Sequence, residues 1–192
     1  VMPEGTPFNK IKRTSDFGAE VVIRGKVFDD SVQFTLDMAA EKGLTFVHPF
    51  DDEDVVAGQG SVAVEMLEQA PELDGIVVPV GGGGLIAGMA MAAKAIKPEI
   101  QVIGAQAQLF DAVKAEMLGV AATIGGASLA EGIAVRAPSA RNLEVIRAHV
   151  DRVETATETE IEQAVFDLLS HEKLVAEGAP GAGLAVIQNM LD

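Results

Sequence analysis

The sequence contains no cysteine and comparatively few basic residues. Without cysteine, the 192-residue chain can form no disulfide framework, no thiolate zinc site and no thiol nucleophile, and this fits a cytoplasmic protein. Because 14 lysines and arginines stand against 29 acidic residues, the net charge is −15, which argues against a nucleic-acid partner. Glycine, proline or charged residues interrupt each apolar stretch before it could cross a bilayer, so we expect no membrane span.

Apolar runs typical of strands alternate with longer segments of helical periodicity, a pattern that predicts an α/β fold with a parallel sheet. The predicted strands are 19–25, 44–50, 75–80, 100–105 and 150–156. The predicted helices are 7–17, 28–42, 55–70, 85–96, 110–118 and 157–169, with a further helical pattern from 181 to the end. Between residues 106 and 147 the pattern is weak, and it indicates only the helix at 110–118.

We expect two structural parts, a partial small domain over residues 1–52 and a large domain over residues 53–192. Both ends of the sequence look cut. Val1 and Met2 resemble the last residues of a strand, and the pattern "GAGLAVIQNMLD" stops without a capping glycine. We therefore expect the chain to be a fragment of a longer protein.

The strongest chemical signal is the segment "GIVVPVGGGGLIAGMAMAAKAI", Gly75 to Ile96. A buried strand is followed by four glycines and then at once by an apolar helix. Consecutive glycines let several backbone N–H groups approach one anion, and the N-terminus of the helix adds partial positive charge. The segment predicts a phosphate site in a protein that is otherwise strongly negative.

Other interpretations of the glycines are less satisfactory. Four successive glycines lose much backbone entropy when the chain folds, and a turn that binds no ligand does not explain why they are present. A P-loop requires a Lys–Ser/Thr pair, which is missing. Gly82, Gly84 and Ala87 fit the dinucleotide pattern G-x-G-x-x-A, but no acidic residue for a ribose occurs in "GAQAQ", residues 104–108. A cofactor or mononucleotide phosphate is therefore favoured over a dinucleotide.

Five collinear motifs resemble those of fold-type II pyridoxal-phosphate enzymes, in the threonine/serine dehydratase and serine racemase group. These are "VMPEGTPFNKIKRTSDFGAEVVIRG", "FVHPFDDEDVVAGQGSVAVEML", "VVPVGGGGLIAG", "LAEGIAV" and "EGAPGAGLAVI". They are distributed from one end of the chain to the other, so the resemblance extends over almost its whole length. The resemblance implies a tryptophan-synthase-β-like fold of parallel twisted sheets with helices on both faces, here incomplete. Glu131 and Pro180 depart from the family's pattern, which could alter the substrate range.

By the same resemblance, the cofactor is pyridoxal 5'-phosphate, and its phosphate binds the backbone N–H groups of Gly81, Gly82, Gly83, Gly84 and Leu85. The resemblance also places Glu177 near the cofactor ring, although a carboxylate at a helix N-terminus is an equally good reading of that residue. No catalytic residue is expected within this chain. The family's Schiff-base lysine belongs to an "S-x-K-x-R-G-A" segment, its substrate loop reads "S-x-G-N-H", and its pyridine-facing serine lies in "S-G-G-N"; none of these occurs here.

The family's divalent-metal site would fall near residues 106–112. Gln106 stands there for the expected glutamate and Ala112 for the expected aspartate, so no metal is predicted. The acidic run Asp51–Asp54 precedes a helix, where carboxylates usually act as N-caps. His48, at a strand end, is read as packed or solvated and not as catalytic.

The resemblance implies a PLP-dependent ammonia-lyase that converts threonine or serine to a 2-oxo acid and ammonia. This lyase would be a homo-oligomer with a small amino-acid substrate, and the present chain alone would be inactive. Two alternatives remain open: an amino-acid racemase of the same fold, and a non-catalytic fragment that binds phosphate or a nucleotide.

Overall fold

The computed structural model describes residues 1–191, and in it the chain divides into two compact units. The first is Val1–Val47 and the second begins at His48. Compact units of this kind do not by themselves define domains. The predicted organisation into a small part, residues 1–52, and a large part, residues 53–192, stays a prediction.

The first unit contains two helices, α1 (Phe8–Asp16) and α2 (Phe28–Lys42). The predicted bounds of α2 are confirmed, and the helix ends at Gly43, whose φ of 65° is left-handed. The strand predicted at 19–25 is wrong, because only an isolated bridge between Met2 and Ile23 forms. A strand exists only where a neighbour accepts its backbone hydrogen bonds. In the described structure the segment 44–50 likewise forms no strand.

The second unit is built on a parallel sheet of three strands in the order β1-β2-β3. The strands are β1 (Gly75–Pro79), β2 (Gln101–Ala107) and β3 (Arg152–Ala156). Six helices accompany them: α3 (Glu53–Gln69), α4 (Gly84–Ile96), α5 (Ala112–Leu118), α6 (Ala140–His149), α7 (Glu158–Ser170) and α8 (Gly178–Leu191). The predicted parallel α/β class is confirmed. Helix α6 falls in the weakly patterned stretch and was not predicted.

Two apolar clusters cover the two faces of the sheet, as the alternation of strand side chains requires. On β2, Val102 belongs to the cluster formed with α3, α4 and α6, while Ile103 belongs to the cluster formed with α7 and α8. Helices α3 and α4 approach so closely that a Cβ at Gly88 would lie 2.1 Å from the Val56 carbonyl oxygen. The small residues of α4 therefore allow its backbone to pack directly on α3.

Polar side chains cap the starts of two predicted helices, α3, which begins at Glu53 and not at the predicted residue 55, and α7. Asp52 accepts hydrogen bonds from the N–H groups of Asp54 and Val55, so the acidic run begins α3 as expected. Thr157 and Glu160 form a capping box at the start of α7, the helix predicted at 157–169. Along the part of the chain that the structure describes, none of the helices is both long and apolar enough to cross a membrane.

Asp151 connects β2, β3 and α4 through its carboxylate. It accepts a hydrogen bond of 2.7 Å from the Val102 N–H and lies 3.0 Å from the Lys94 ammonium. Partial burial raises the pKa of Asp151, but the Val102 hydrogen bond and the Lys94 charge together lower it more. The net pKa therefore lies below the ordinary value of 3.8.

We expect Asp151→Asn to lower the free energy of unfolding by about 1 kcal/mol at neutral pH. Because the folded-state pKa is depressed, this stabilisation is complete above pH 3.8 and is lost as the pH falls through the folded-state pKa. Urea denaturation of wild type and variant between about pH 7 and about pH 2 measures the difference. Asp74→Asn is the control, because the Asp74 side chain is fully exposed. Its contact with the Lys97 ammonium, at 3.5 Å, is also longer than that of Asp151 with Lys94. A difference that persists unchanged into acid would contradict the assignment.

Candidate functional site

The glycine loop connects the first strand of the sheet to a helix in the second unit. After β1 the chain passes through Val80 and the glycines, and α4 begins at Gly84. Gly83 is the N-cap of α4 with φ 93°, a left-handed conformation that L side chains rarely adopt, and no side chain caps this helix end. The helix N-terminus is therefore open to an anion.

The backbone N–H groups of this loop form a continuous row of free donors. No residue within 1–191 accepts a hydrogen bond from the N–H groups of Gly81 through Leu85. The next donor that is paired within the protein is Ala87, which bonds to the Gly83 carbonyl at 3.0 Å. The run of unpaired donors among the described residues is thus six long, from Gly81 to Ile86. The first N–H groups of any helix lack an intrahelical partner, but those of the glycines before α4 extend the row, and backbone donors are almost always paired in folded proteins. The row therefore indicates a site for an external acceptor.

These residues line a cleft of about 440 Å³ in the second unit. The rest of the lining is mainly apolar: Pro49, Phe50, Gln59, Pro79, Ile86, Gly132, Ile133, Val135, Ala179 and Pro180. No lysine or arginine is among the described residues of this lining. In a chain of net charge −15, an anion here would be held by backbone donors and the α4 dipole.

The loop is packed tightly against Phe50. A Cβ at Gly82 would lie 2.3 Å from the Phe50 ring, and one at Gly84 would lie 2.8 Å from the Phe50 carbonyl oxygen. His48 shapes this turn, because its Nδ1 accepts a hydrogen bond of 2.9 Å from the Asp51 N–H. The packing explains why positions 82 and 84 are glycine, whereas the row of free donors requires a different explanation.

Helix α6 contributes two residues that sequence reasoning missed. The Ser139 hydroxyl caps α6 by accepting from the Asn142 N–H at 3.4 Å, and it also bonds to the Asp51 carboxylate. Asn142 is fully buried, and its Nδ2 donates to the Phe50 and Gly82 carbonyls. The available signal was Ser139 as an N-cap ahead of Leu143 and Ile146, which lie three residues apart.

Gln106 is fully buried at the end of β2. Its Nε2 donates to the carbonyls of Val80 at 3.3 Å and Phe110 at 3.1 Å, and its Oε1 accepts from the Lys114 N–H at 2.9 Å. The side-chain amide thus satisfies three backbone groups around the base of the loop. No cluster of histidine, cysteine or carboxylate side chains suited to a metal occurs within the described residues.

The structure also locates the remaining residues considered from the sequence. Glu177 is exposed and immediately precedes α8, two residues before Ala179 of the cleft lining. Glu131 begins a 3-10 helix, Glu131–Ile133, whose last two residues line the cleft. The assignment of Gly81 through Leu85 to a phosphate stays a prediction, supported by the geometry of their N–H groups.

Comparison with known proteins gives the family. A model of the family described as "Pyridoxal-phosphate dependent enzyme" matches residues 1–192 of the chain. The chain belongs to the pyridoxal-phosphate-dependent enzymes. Among curated members, it is 41% identical over 194 residues to the L-threonine ammonia-lyase of Thermotoga maritima, with 100% of this chain and 48% of that protein covered. The L-threonine ammonia-lyase of Geobacter sulfurreducens is 40% identical, with 98% and 47% covered.

Solved structures of a threonine deaminase and a serine racemase share this fold. The processed form of threonine deaminase isoform 2 from Solanum lycopersicum superposes with a TM-score of 0.88 at 29% identity, over 96% of this chain and 52% of that one. Maize serine racemase gives a TM-score of 0.89 at 30% identity, over 95% and 56%. The predicted resemblance to the dehydratase and racemase group is confirmed. The chain spans about half the length of the curated relatives it matches.

Proposed function

We propose that the full-length protein is a pyridoxal-phosphate-dependent ammonia-lyase that converts threonine or serine to a 2-oxo acid and ammonia. Within it, this chain binds the cofactor phosphate through the N–H groups of Gly81, Gly82, Gly83, Gly84 and Leu85. The observation that carries the proposal is the row of five donors, unpaired among the described residues, at the N-terminus of α4. A phosphate provides several acceptor oxygens for such a row.

The shape of the site supports a cofactor of this kind. A cleft of about 440 Å³ lies within the range of sites for small molecules, and its apolar lining suits an aromatic ring. A dinucleotide is less well supported, since an acidic residue is missing where β2 ends. There, Gln106 is buried and its amide is saturated by backbone groups.

The chemistry divides between the cofactor and the protein. When bound, pyridoxal phosphate supplies an electron-poor ring that stabilises negative charge at the α-carbon of an amino acid. The glycine loop would hold the phosphate and so fix where that ring stands. Ile133, Val135 and Ala179 would exclude water from the ring through their apolar side chains. The residues proposed here therefore bind and orient, and the proton transfers belong to other parts of the full-length protein.

The lyase is favoured over the racemase by the sequence relatives. Two curated proteins at 40–41% identity are named L-threonine ammonia-lyases, whereas the serine racemase structure of maize is 30% identical. Dehydration of the amino acid releases one water, and hydrolysis of the dehydrated amino acid consumes one. Threonine therefore yields 2-oxobutanoate and ammonia, and serine yields pyruvate and ammonia.

We expect the purified full-length protein, saturated with pyridoxal phosphate, to release equal amounts of 2-oxo acid and ammonia from L-threonine or L-serine. The 2-oxo acid is measured as its hydrazone, ammonia with glutamate dehydrogenase, and D-amino acid by chiral chromatography. A D-amino acid formed without 2-oxo acid would establish the racemase alternative. Binding of the cofactor with no turnover of either amino acid would leave only the ligand-binding alternative.

We also propose a cytoplasmic, homo-oligomeric protein that binds neither nucleic acid nor membrane, with residues 1–52 forming part of a small domain and residues 53–192 a large one. The lack of cysteine and the excess of acidic residues support the location and the exclusion of nucleic acid. Light scattering coupled to size-exclusion chromatography measures the oligomeric state, and limited proteolysis followed by mass spectrometry locates the domain boundary.

A further inference from the structure

Residues at the start of α6 donate hydrogen bonds to the carbonyl of Gly82. It accepts hydrogen bonds from the Ser139 N–H at 3.3 Å and from Asn142 Nδ2 at 3.2 Å. The same Nδ2 donates to the Phe50 carbonyl at 2.6 Å. One fully buried side chain thus joins two segments that are far apart in sequence, the turn that contains Phe50 and the glycine loop.

This arrangement determines the direction of a neighbouring donor. The carbonyl of Gly82 and the N–H of Gly83 belong to one planar peptide unit, in which the two groups point in opposite directions because the bond is trans. Holding the carbonyl toward α6 therefore turns the Gly83 N–H away from α6. The φ of 93° at Gly83 lets the chain leave this peptide directly into α4.

Asn142 makes specific hydrogen bonds that packing alone would not require. Only the amide NH₂ can serve two carbonyls, so the orientation of the side chain is fixed. Its Oδ1 is buried, and no group in the described part of the chain donates to it. A buried acceptor without a donor is unfavourable, and an apolar side chain of similar volume would avoid it.

We propose that Asn142 is a positioning residue for the phosphate site, which orients the Gly82–Gly83 peptide and holds Phe50 against the loop. The proposal rests on the proposed function, since it assigns Asn142 a role toward the cofactor phosphate. It predicts that Asn142 contributes to the binding of the phosphate group and contributes little to the binding of the pyridoxal ring.

The test compares pyridoxal phosphate with pyridoxal, which lacks the phosphate, in fluorescence titrations of the full-length apoprotein. Wild type is expected to bind pyridoxal phosphate more tightly than pyridoxal. In Asn142→Leu this preference should fall by about tenfold, because the loop donors are no longer fixed in direction. Asn142→Ser, whose side chain cannot reach both carbonyls, is measured in parallel and should show the same fall. It keeps the test valid if the leucine variant does not fold.

Leu143→Ala is the matched control on the same helix, since Leu143 is buried in the core and is not part of the cleft lining. It should lower the melting temperature while the preference for the phosphate form stays as in wild type. An unchanged preference in the folded Asn142 variants would overturn this proposal and leave the proposed function standing. A wild type without any preference would instead overturn the assignment of the glycine loop.

Discussion

The full-length protein carrying Gly83→Asp is expected to bind pyridoxal phosphate about 50-fold less tightly than the same protein carrying Gly83→Asn. A Cβ at Gly83 would lie 3.0 Å from Ile146 Cδ1 and 3.1 Å from Asn142 Cβ. Both substitutions therefore introduce the same strain and the same contacts, and they differ by one negative charge. The estimate places the introduced carboxylate and the cofactor phosphate about 7 Å apart, with an effective dielectric constant of about 20. The repulsion between two unit charges is then about 2.4 kcal/mol, which corresponds to this factor.

Fluorescence titration of the two apoproteins with pyridoxal phosphate measures the difference. Their free energies of unfolding without cofactor should agree within about 0.5 kcal/mol, which separates the effect on the site from an effect on the fold. Raising the salt concentration should bring the two dissociation constants closer, since salt screens the repulsion where water reaches it. Equal affinities at low salt would mean that no phosphate binds at this loop.

A second large effect is expected in the core, where Gln106→Glu should lower the free energy of unfolding by roughly 3 kcal/mol at neutral pH. The Gln106 amide donates to the carbonyls of Val80 and Phe110 and is fully buried. A carboxylate there would place a negative charge against two acceptors and would have no donors to offer them. Urea denaturation of the variant and the wild type measures the loss.

The pH dependence identifies the cause of this loss. Burial beside two carbonyl oxygens raises the pKa of the introduced carboxyl group above its unfolded value. The penalty from the charge is therefore present above the folded-state pKa and is lost as the pH falls below about 4.3, the unfolded value. A smaller loss remains in acid, because a protonated carboxyl group has one donor where the amide has two. Gln108→Glu makes the same chemical change at an exposed position two residues away and should change stability by less than about 0.5 kcal/mol. Equal effects at both positions would show that charge near the end of β2, and not burial, is responsible.

Local sequence was sufficient for the glycine loop and for most of the second unit. The strand β1, the four glycines and the helix α4 follow one another directly, so their geometry depends on neighbouring residues. Capping residues such as Asp52 and Thr157 act within one turn of their helices. The role of the acidic run Asp51–Asp54 as an N-cap could be predicted for this reason.

The strands predicted at 19–25 and 44–50 show where local reasoning failed. The apolar residues of both segments favour extended backbone, and an extended backbone becomes a strand only beside a hydrogen-bonding partner. Helix α6 was missed because the polar residues at its start bond to residues that are distant in sequence. The N-cap Ser139 and Asn142 in the first turn have their principal partners, Asp51, Phe50 and Gly82, at positions distant in sequence.

By itself, the sequence determined the family, the parallel α/β class and the loop whose N–H groups are available to an anion. These follow from motif order and from conformations that neighbouring residues impose. Tertiary structure alone decided which polar groups are already satisfied. Asn142 and Gln106 both carry a side-chain amide, and only their surroundings distinguish them. The amide of Asn142 donates to the carbonyls of Phe50 and Gly82, whereas that of Gln106 donates to those of Val80 and Phe110. The reason is physical: a hydrogen bond depends on distance and direction in space, which separation along the chain does not specify.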